Sequence, residues 1–142
     1  MTSKTMARKG GFTLIEVMAL LAVLGVIAAL VVPKIFGRAD DTQVRAARAD
    51  ISALRDALTQ YKLDNQAYPT AAQGLNALIE RPQTEPVPTA WRAYLSALPL
   101  DPWGRPYQYM NPGVQSEVEV MSWGADGAPG GEGANADIGS TQ

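Results

Sequence analysis

From Phe12 to Val32 every position is apolar except Thr13, Glu16 and Gly25. No face of a 3.6-residue repeat is spared, which predicts a helix that must be covered on all sides. Residues 12–32 as a helix span about 31 Å, against about 30 Å for the hydrocarbon core of a bilayer. Pro33 then predicts a kink, or loosened hydrogen bonding near Ala29. Beyond it the pattern changes. Val44, Ala47, Ile51, Leu54, Leu58 and Tyr61 recur every three or four residues, an amphipathic stripe. Asp40, Asp41, Arg45, Arg48, Arg55, Asp56 and Lys62 fill the other faces, and Asp64-Asn65 is the expected stop. Residues 12 to about 64 thus read as one long, bent helix of roughly 80 Å.

The stripe needs a partner from the remaining chain. Ala71 to Glu80 predicts a short helix with Leu75, Leu78 and Ile79 inward, and Pro82, Pro86 and Pro88 then break regular structure. Asp101-Pro-Trp-Gly104 carries turn chemistry and leads into the strand-forming aromatics Tyr107 and Tyr109. After a second turn at Asn111-Pro-Gly113, Glu117 to Met121 alternates polar and apolar as a half-buried strand does. The fold class is therefore α+β, a long N-terminal helix packed on a small antiparallel sheet. The tail from Gly124 is rich in glycine and acids.

Charge sharpens this picture. Lys4, Arg8 and Lys9 precede the apolar block and no acid does; such a cluster predicts a cytoplasmic N-terminus, a single spanning helix, and everything after it outside. Without residues 1–11 the chain holds 9 cations against 14 acids, a charge of −5. From Gln66 onward only Arg81, Arg92 and Arg105 oppose eight acids. Such a surface disfavours nucleic acid. The chain has no cysteine and no histidine. That excludes disulfides, thiolate and imidazole metal sites, and a histidine-based triad. With no nucleophile motif and no phosphate loop, the sequence reads as a non-enzyme. An ordinary signal peptide has a shorter apolar core and no acid inside it. A plain single-span anchor leaves Glu16 unexplained.

The segment Lys9-Gly-Gly-Phe-Thr-Leu-Ile-Glu-Val-Met18 resembles the processing site of the type IV pilin superfamily. Within that superfamily, several downstream stretches resemble the major pseudopilins of type II secretion systems. They are Tyr61-Lys-Leu-Asp-Asn65, Tyr68-Pro-Thr70, Gln73-Gly-Leu75, Asp101-Pro-Trp-Gly104, Pro106-Tyr-Gln-Tyr109, Gly124-Ala-Asp-Gly127 and Ala136-Asp-Ile-Gly139. The ending Gly139-Ser-Thr-Gln142 lacks the tryptophan often present there. The resemblance implies cleavage between Gly11 and Phe12 by a prepilin peptidase, then N-methylation of Phe12. It divides the chain into a cleaved leader (1–11), a transmembrane and filament-core helix (12–35), an amphipathic periplasmic helix (36–64) and a globular domain (65–142) with a C-terminal loop at 122–140.

It further implies assembly roles for Phe12, Glu16 and Pro33. Glu16 pairs with the Phe12 ammonium of a neighbouring copy, or else snorkels to headgroups or carries a proton. Pro33 unwinds the helix on assembly, or is a passive kink at the membrane exit. Composition alone reads the tail as mobile and acidic. The resemblance instead implies a calcium ion stapling the loop, with Asp126, Glu132, Asn135, Asp137 and the Trp123 carbonyl as ligands, oxygen donors of the kind calcium takes. The implied function is the major structural subunit of a periplasmic pseudopilus that exports folded proteins across the outer membrane. The chain would be a single-pass inner-membrane protein until it polymerises. Its partners are other copies of itself, minor pseudopilins, the inner-membrane assembly platform and the prepilin peptidase. The alternative is a type IV pilin for adhesion, motility or DNA uptake.

Overall fold

The computed structural model describes residues 11–139, with backbone only between 31 and 39. The basic leader before Gly11 and the side chain of Pro33 lie outside the described residues. One helix, α1, runs Leu14–Asn65. The chain forms two compact units, 1–38 and 39–142.

In the first unit α1 starts on Thr13. The Thr13 N–H donates to Glu16 Oε2 at 2.9 Å, and the Glu16 N–H donates back to Thr13 Oγ1 at 3.3 Å. This reciprocal capping box satisfies two of the amides that a helix start leaves without partners. Leu14, Ile15, Met18, Leu21, Val26 and Leu30 are all more than half exposed. Among the described residues no helix is long and apolar enough to cross a membrane. Side chains here are described as far as Leu30, two residues short of the end of the apolar block at Val32.

In the second unit the stripe on α1 becomes the core. Ala47, Ile51, Leu54, Ala57, Leu58 and Tyr61 are buried with Leu75, Ala77, Leu78, Tyr107, Val120 and Ile138, and Val44 packs at the edge. The helix stops where expected. Gln66 takes a positive φ of 65°, its N–H donating to the Lys62 carbonyl at 2.7 Å, a left-handed C-terminal cap.

Three short antiparallel strands follow: β1 (Gln108–Met110), β2 (Glu119–Ser122) and β3 (Ile138–Gly139), in the order β1-β2-β3. Tyr109 faces Val120, and Ser122 faces Ile138. The Tyr107 hydroxyl donates to Asp50 Oδ2 at 2.8 Å, tying α1 to the segment that enters β1.

Two elements depart from the sequence pattern. Over 71–80 only a 3-10 turn, Leu75–Leu78, forms, and Ala77 is buried while Ile79 is half-buried. Thr70 and Gln73 cap each other at 3.1 Å, and Gly74 at φ 59°, ψ −164° then interrupts any longer helix. In β2 the alternation fails at Glu119, which is buried. Its Oε1 accepts the Gln115 N–H at 2.7 Å, so a tight turn supplies the partner that burial of a carboxylate requires. The tail also contributes a strand, β3, which its composition did not reveal.

Candidate functional site

The first candidate site is the start of α1. Phe12 is 82% exposed and Gly11 has open space around the position of a Cβ. A peptide bond between two such residues is accessible, and glycine puts no side chain in the way of an enzyme. Glu16 is exposed, and its Oε2 accepts from both the Thr13 N–H and Thr13 Oγ1 at 2.9 Å. The carboxylate therefore sits one helical turn from Phe12 with one oxygen engaged. Thr13 was not anticipated as a partner, although Thr13-x-x-Glu16 has the spacing of a capping box.

The second candidate site is the loop between β2 and β3. Two groups outside the loop fix its entry. Asp101 is buried; its Oδ1 accepts the N–H groups of Trp103 (3.1 Å) and Arg105 (2.8 Å). Its Oδ2 accepts the Ser122 hydroxyl at 2.7 Å, and Ser122 Oγ in turn accepts the Gly124 N–H at 3.2 Å. The Arg105 guanidinium donates to the carbonyls of Gly124 (2.8 Å) and Ala125 (3.0 Å). These charge-assisted bonds hold the loop's first residues to the turn at 101–105. Gly124 has a φ of 66°, and a Cβ there would lie 2.7 Å from the Ala136 carbonyl oxygen and 2.8 Å from that of Ala134. Only glycine lets the two sides of the loop approach so closely. Sequence reasoning placed Asp101 in a turn but did not foresee its link, or that of Arg105, to this loop.

Of the residues expected to bind a cation, Asp137 is the best placed. Its Oδ2 accepts the Gly130 N–H at 2.9 Å and its own N–H donates to the Gly130 carbonyl at 3.1 Å. Its Oδ1 is buried and has no hydrogen-bond partner. Asp126 is exposed and its Oδ1 caps the Ala128 N–H at 3.1 Å. Glu132 and Asn135 are exposed at either end of a one-turn 3-10 segment (Gly133–Asn135), closed by the Asn135 N–H to the Glu132 carbonyl at 3.1 Å. Trp123 is half-buried between Ser122 and Gly124. Among the described residues no three acidic side chains converge as a metal-holding group. The loop therefore offers one buried, unpartnered carboxylate oxygen and a backbone rich in carbonyls.

A family model described as Type II secretion system (T2SS), protein G matches residues 34–141, and one described as Prokaryotic N-terminal methylation motif matches residues 6–32. The chain is 49% identical over 135 residues to the type II secretion system core protein G of Pseudomonas aeruginosa, covering 94% of this chain and 95% of the relative. It is 48% identical over 139 residues to the protein of the same name from Vibrio cholerae, covering 96% and 94%. Its fold is similar to the crystal structure of the major pseudopilin from the type 2 secretion system of enterohaemorrhagic Escherichia coli. That match has a TM-score of 0.68 and 42% identity, and it covers 78% of this chain and 96% of the other.

Proposed function

This chain belongs to the type II secretion system protein G family, and from that membership we propose that it is the major subunit of a periplasmic pseudopilus, built to polymerise and not to catalyse. The observation that carries the reading is the first unit of α1. From Leu14 to Leu30 its side chains are apolar apart from Glu16 and exposed on all faces, and that one carboxylate lies one turn from Phe12. Burying these faces requires a membrane first and neighbouring copies afterwards. A charge in a bilayer costs roughly 3 kcal/mol at its centre and less near its edge. Glu16 offsets that cost by pairing with a cation. Cleavage after Gly11 creates one, the Phe12 amine, and the match to a methylation motif supports its modification.

Within one chain Thr13 already occupies Glu16 Oε2, which leaves Oε1 for the amine of the next copy. A pair made away from water fixes register, because removing one partner strands the other charge. Pro33 is the place where α1 gives up hydrogen bonds as copies leave the membrane. The chain is anchored by a single pass in the inner membrane with its second unit in the periplasm. It works with a prepilin peptidase, minor pseudopilins and an inner-membrane assembly platform.

Calcium fits the loop on one ground, the unpartnered Asp137 Oδ1. Asp137 would be its charged anchor, with Asp126, Glu132, Asn135 and the Trp123 carbonyl as further oxygen donors. Calcium would supply positive charge and crosslinking there, and nothing reactive.

The test is Glu16→Gln, which keeps size and the Thr13 bonds but removes the charge. Filament assembly and secretion should both fall by an order of magnitude or more, while cleavage after Gly11 continues. Normal assembly would refute the pairing.

A further inference from the structure

The backbone of Arg105 is fixed on both sides. The Asp101 N–H donates to the Arg105 carbonyl at 2.7 Å, Asp101 Oδ1 accepts the Arg105 N–H at 2.8 Å, and Pro106 follows. From this turn the half-buried side chain crosses to the loop between β2 and β3. It donates to the carbonyls of Gly124 and Ala125, at 2.8 and 3.0 Å. It also lies against Gly127, where a Cβ would come within 2.6 Å of Arg105 Cζ. The guanidinium therefore grips the chain on both sides of Asp126. A cation so placed could pair with Asp126, but it does not. Among the described residues Asp126 has no ion pair, and its Oδ1 caps the Ala128 N–H at 3.1 Å. The backbone around Asp126 is ordered while its charge is left for another cation.

We infer that Arg105 is a positioning residue for Asp126: it orders the first limb of the loop, so that calcium meets this carboxylate already in place. The inference rests on the calcium reading of the loop. The second limb closes without Arg105, through the Gly130 N–H on Asp137 Oδ2 at 2.9 Å. The two limbs are joined by the Ala125 N–H on the Ala134 carbonyl, also at 2.9 Å. Without the guanidinium Asp126 would sit between glycines 124 and 127, on the most freely moving kind of backbone. Two effects oppose each other. The charge of Arg105 repels a second cation. Its bonds remove a cost of ordering that binding otherwise meets, roughly tenfold in binding constant for each residue fixed beforehand. Asp101, in the same turn, carries the opposite charge and offsets the repulsion, so the ordering dominates. Arg105 also engages two carbonyls itself, and calcium must take its carbonyl oxygens from elsewhere in the loop.

The test uses two variants of the full-length, detergent-solubilised chain. Arg105→Met keeps much of the stem and removes both charge and donors; Arg105→Lys keeps the charge and loses the two-pronged donor. Calcium Kd is measured by titration calorimetry, and deuterium exchange at the Ala125 amide is followed in chelator. In Arg105→Met the Ala125 amide should exchange at least about tenfold faster, and calcium should bind about tenfold more weakly. Arg105→Lys should also bind calcium more weakly than the native chain, because a point charge cannot hold two carbonyls. Should Arg105→Met fail to fold, Arg105→Lys carries the comparison. A lowered Tm with an unchanged Kd means that Arg105 only stabilises the fold, and overturns the inference. Tighter calcium binding by Arg105→Met overturns it too, since repulsion would then outweigh ordering, and so does unchanged exchange at Ala125. Failure of the parent reading is seen separately, in the native chain. If that chain binds no calcium, the calcium reading falls and this inference with it; if it binds and the variants bind equally well, only the role of Arg105 is lost.

Discussion

Replacing Asp137 by asparagine separates a structural tail from a cation-stapled one. In the native chain Oδ2 is satisfied by the Gly130 N–H, while Oδ1 is buried with no partner. Without a cation, an unmet buried polar atom costs about 1–3 kcal/mol, and more when it shares a negative charge. Asparagine keeps an acceptor for Gly130 and leaves a neutral amide at the unmet position. In chelator, Asp137→Asn should therefore be as stable as the native protein or more stable by about 1 kcal/mol. With calcium at a hundredfold excess over its Kd the native protein gains about 2.7 kcal/mol. For a unit of about a hundred residues that is a rise in Tm of about 10–15 °C. Asp137→Asn should rise by less than about 3 °C, so the order of stabilities inverts on adding calcium. The assay is thermal melting of detergent-solubilised protein, followed by circular dichroism in chelator and in millimolar calcium. A native Tm that does not move, or a variant that rises as far as the native protein, refutes the reasoning.

Two further outcomes follow from the second unit. Burial first, then the bond to Asp50 and the charges of Asp50 and Asp101, raises the pKa of Tyr107 above the usual tyrosine value; burial does the same at Tyr109. The folded state thus keeps protons that the unfolded chain releases. Stability is full below the unfolded value near 10 and falls as pH rises beyond it, by up to about 1.4 kcal/mol per pH unit for each tyrosine. Tyr107→Phe should lose about 1.5–3 kcal/mol at pH 7, having broken a bond to a carboxylate. It should also flatten the alkaline limb by one proton, read by urea denaturation between pH 7 and 11. Gly124→Ala puts a Cβ within 2.8 Å of two carbonyl oxygens at a positive φ, so a loss of at least about 2 kcal/mol is expected. The Ala125 amide, bonded to the Ala134 carbonyl at 2.9 Å, should then exchange faster with deuterium.

The sequence by itself determined what is local. The stripe from Val44 to Tyr61 needs only the 3.6-residue repeat to be recognised, and its members are the helix side of the core. The N-terminal methylation motif matched over residues 6–32 and the stop at Asn65 are equally local, because neighbours along the chain fix them. The tertiary structure decided whatever depends on a distant partner. Glu119 is buried because Gln115 turns back to meet it, which no alternation rule contains. β3 exists because Ser122 and Met121 offer an edge to Ile138 and Gly139, so a tail whose composition looks mobile is ordered by pairing. Asp101 and Arg105 hold a loop some twenty residues away, and only packing shows that one oxygen of Asp137 is enclosed without a partner. Periodicity encodes which face of a helix avoids water. Which polar group each buried charge finds is fixed only when the chain has closed on itself.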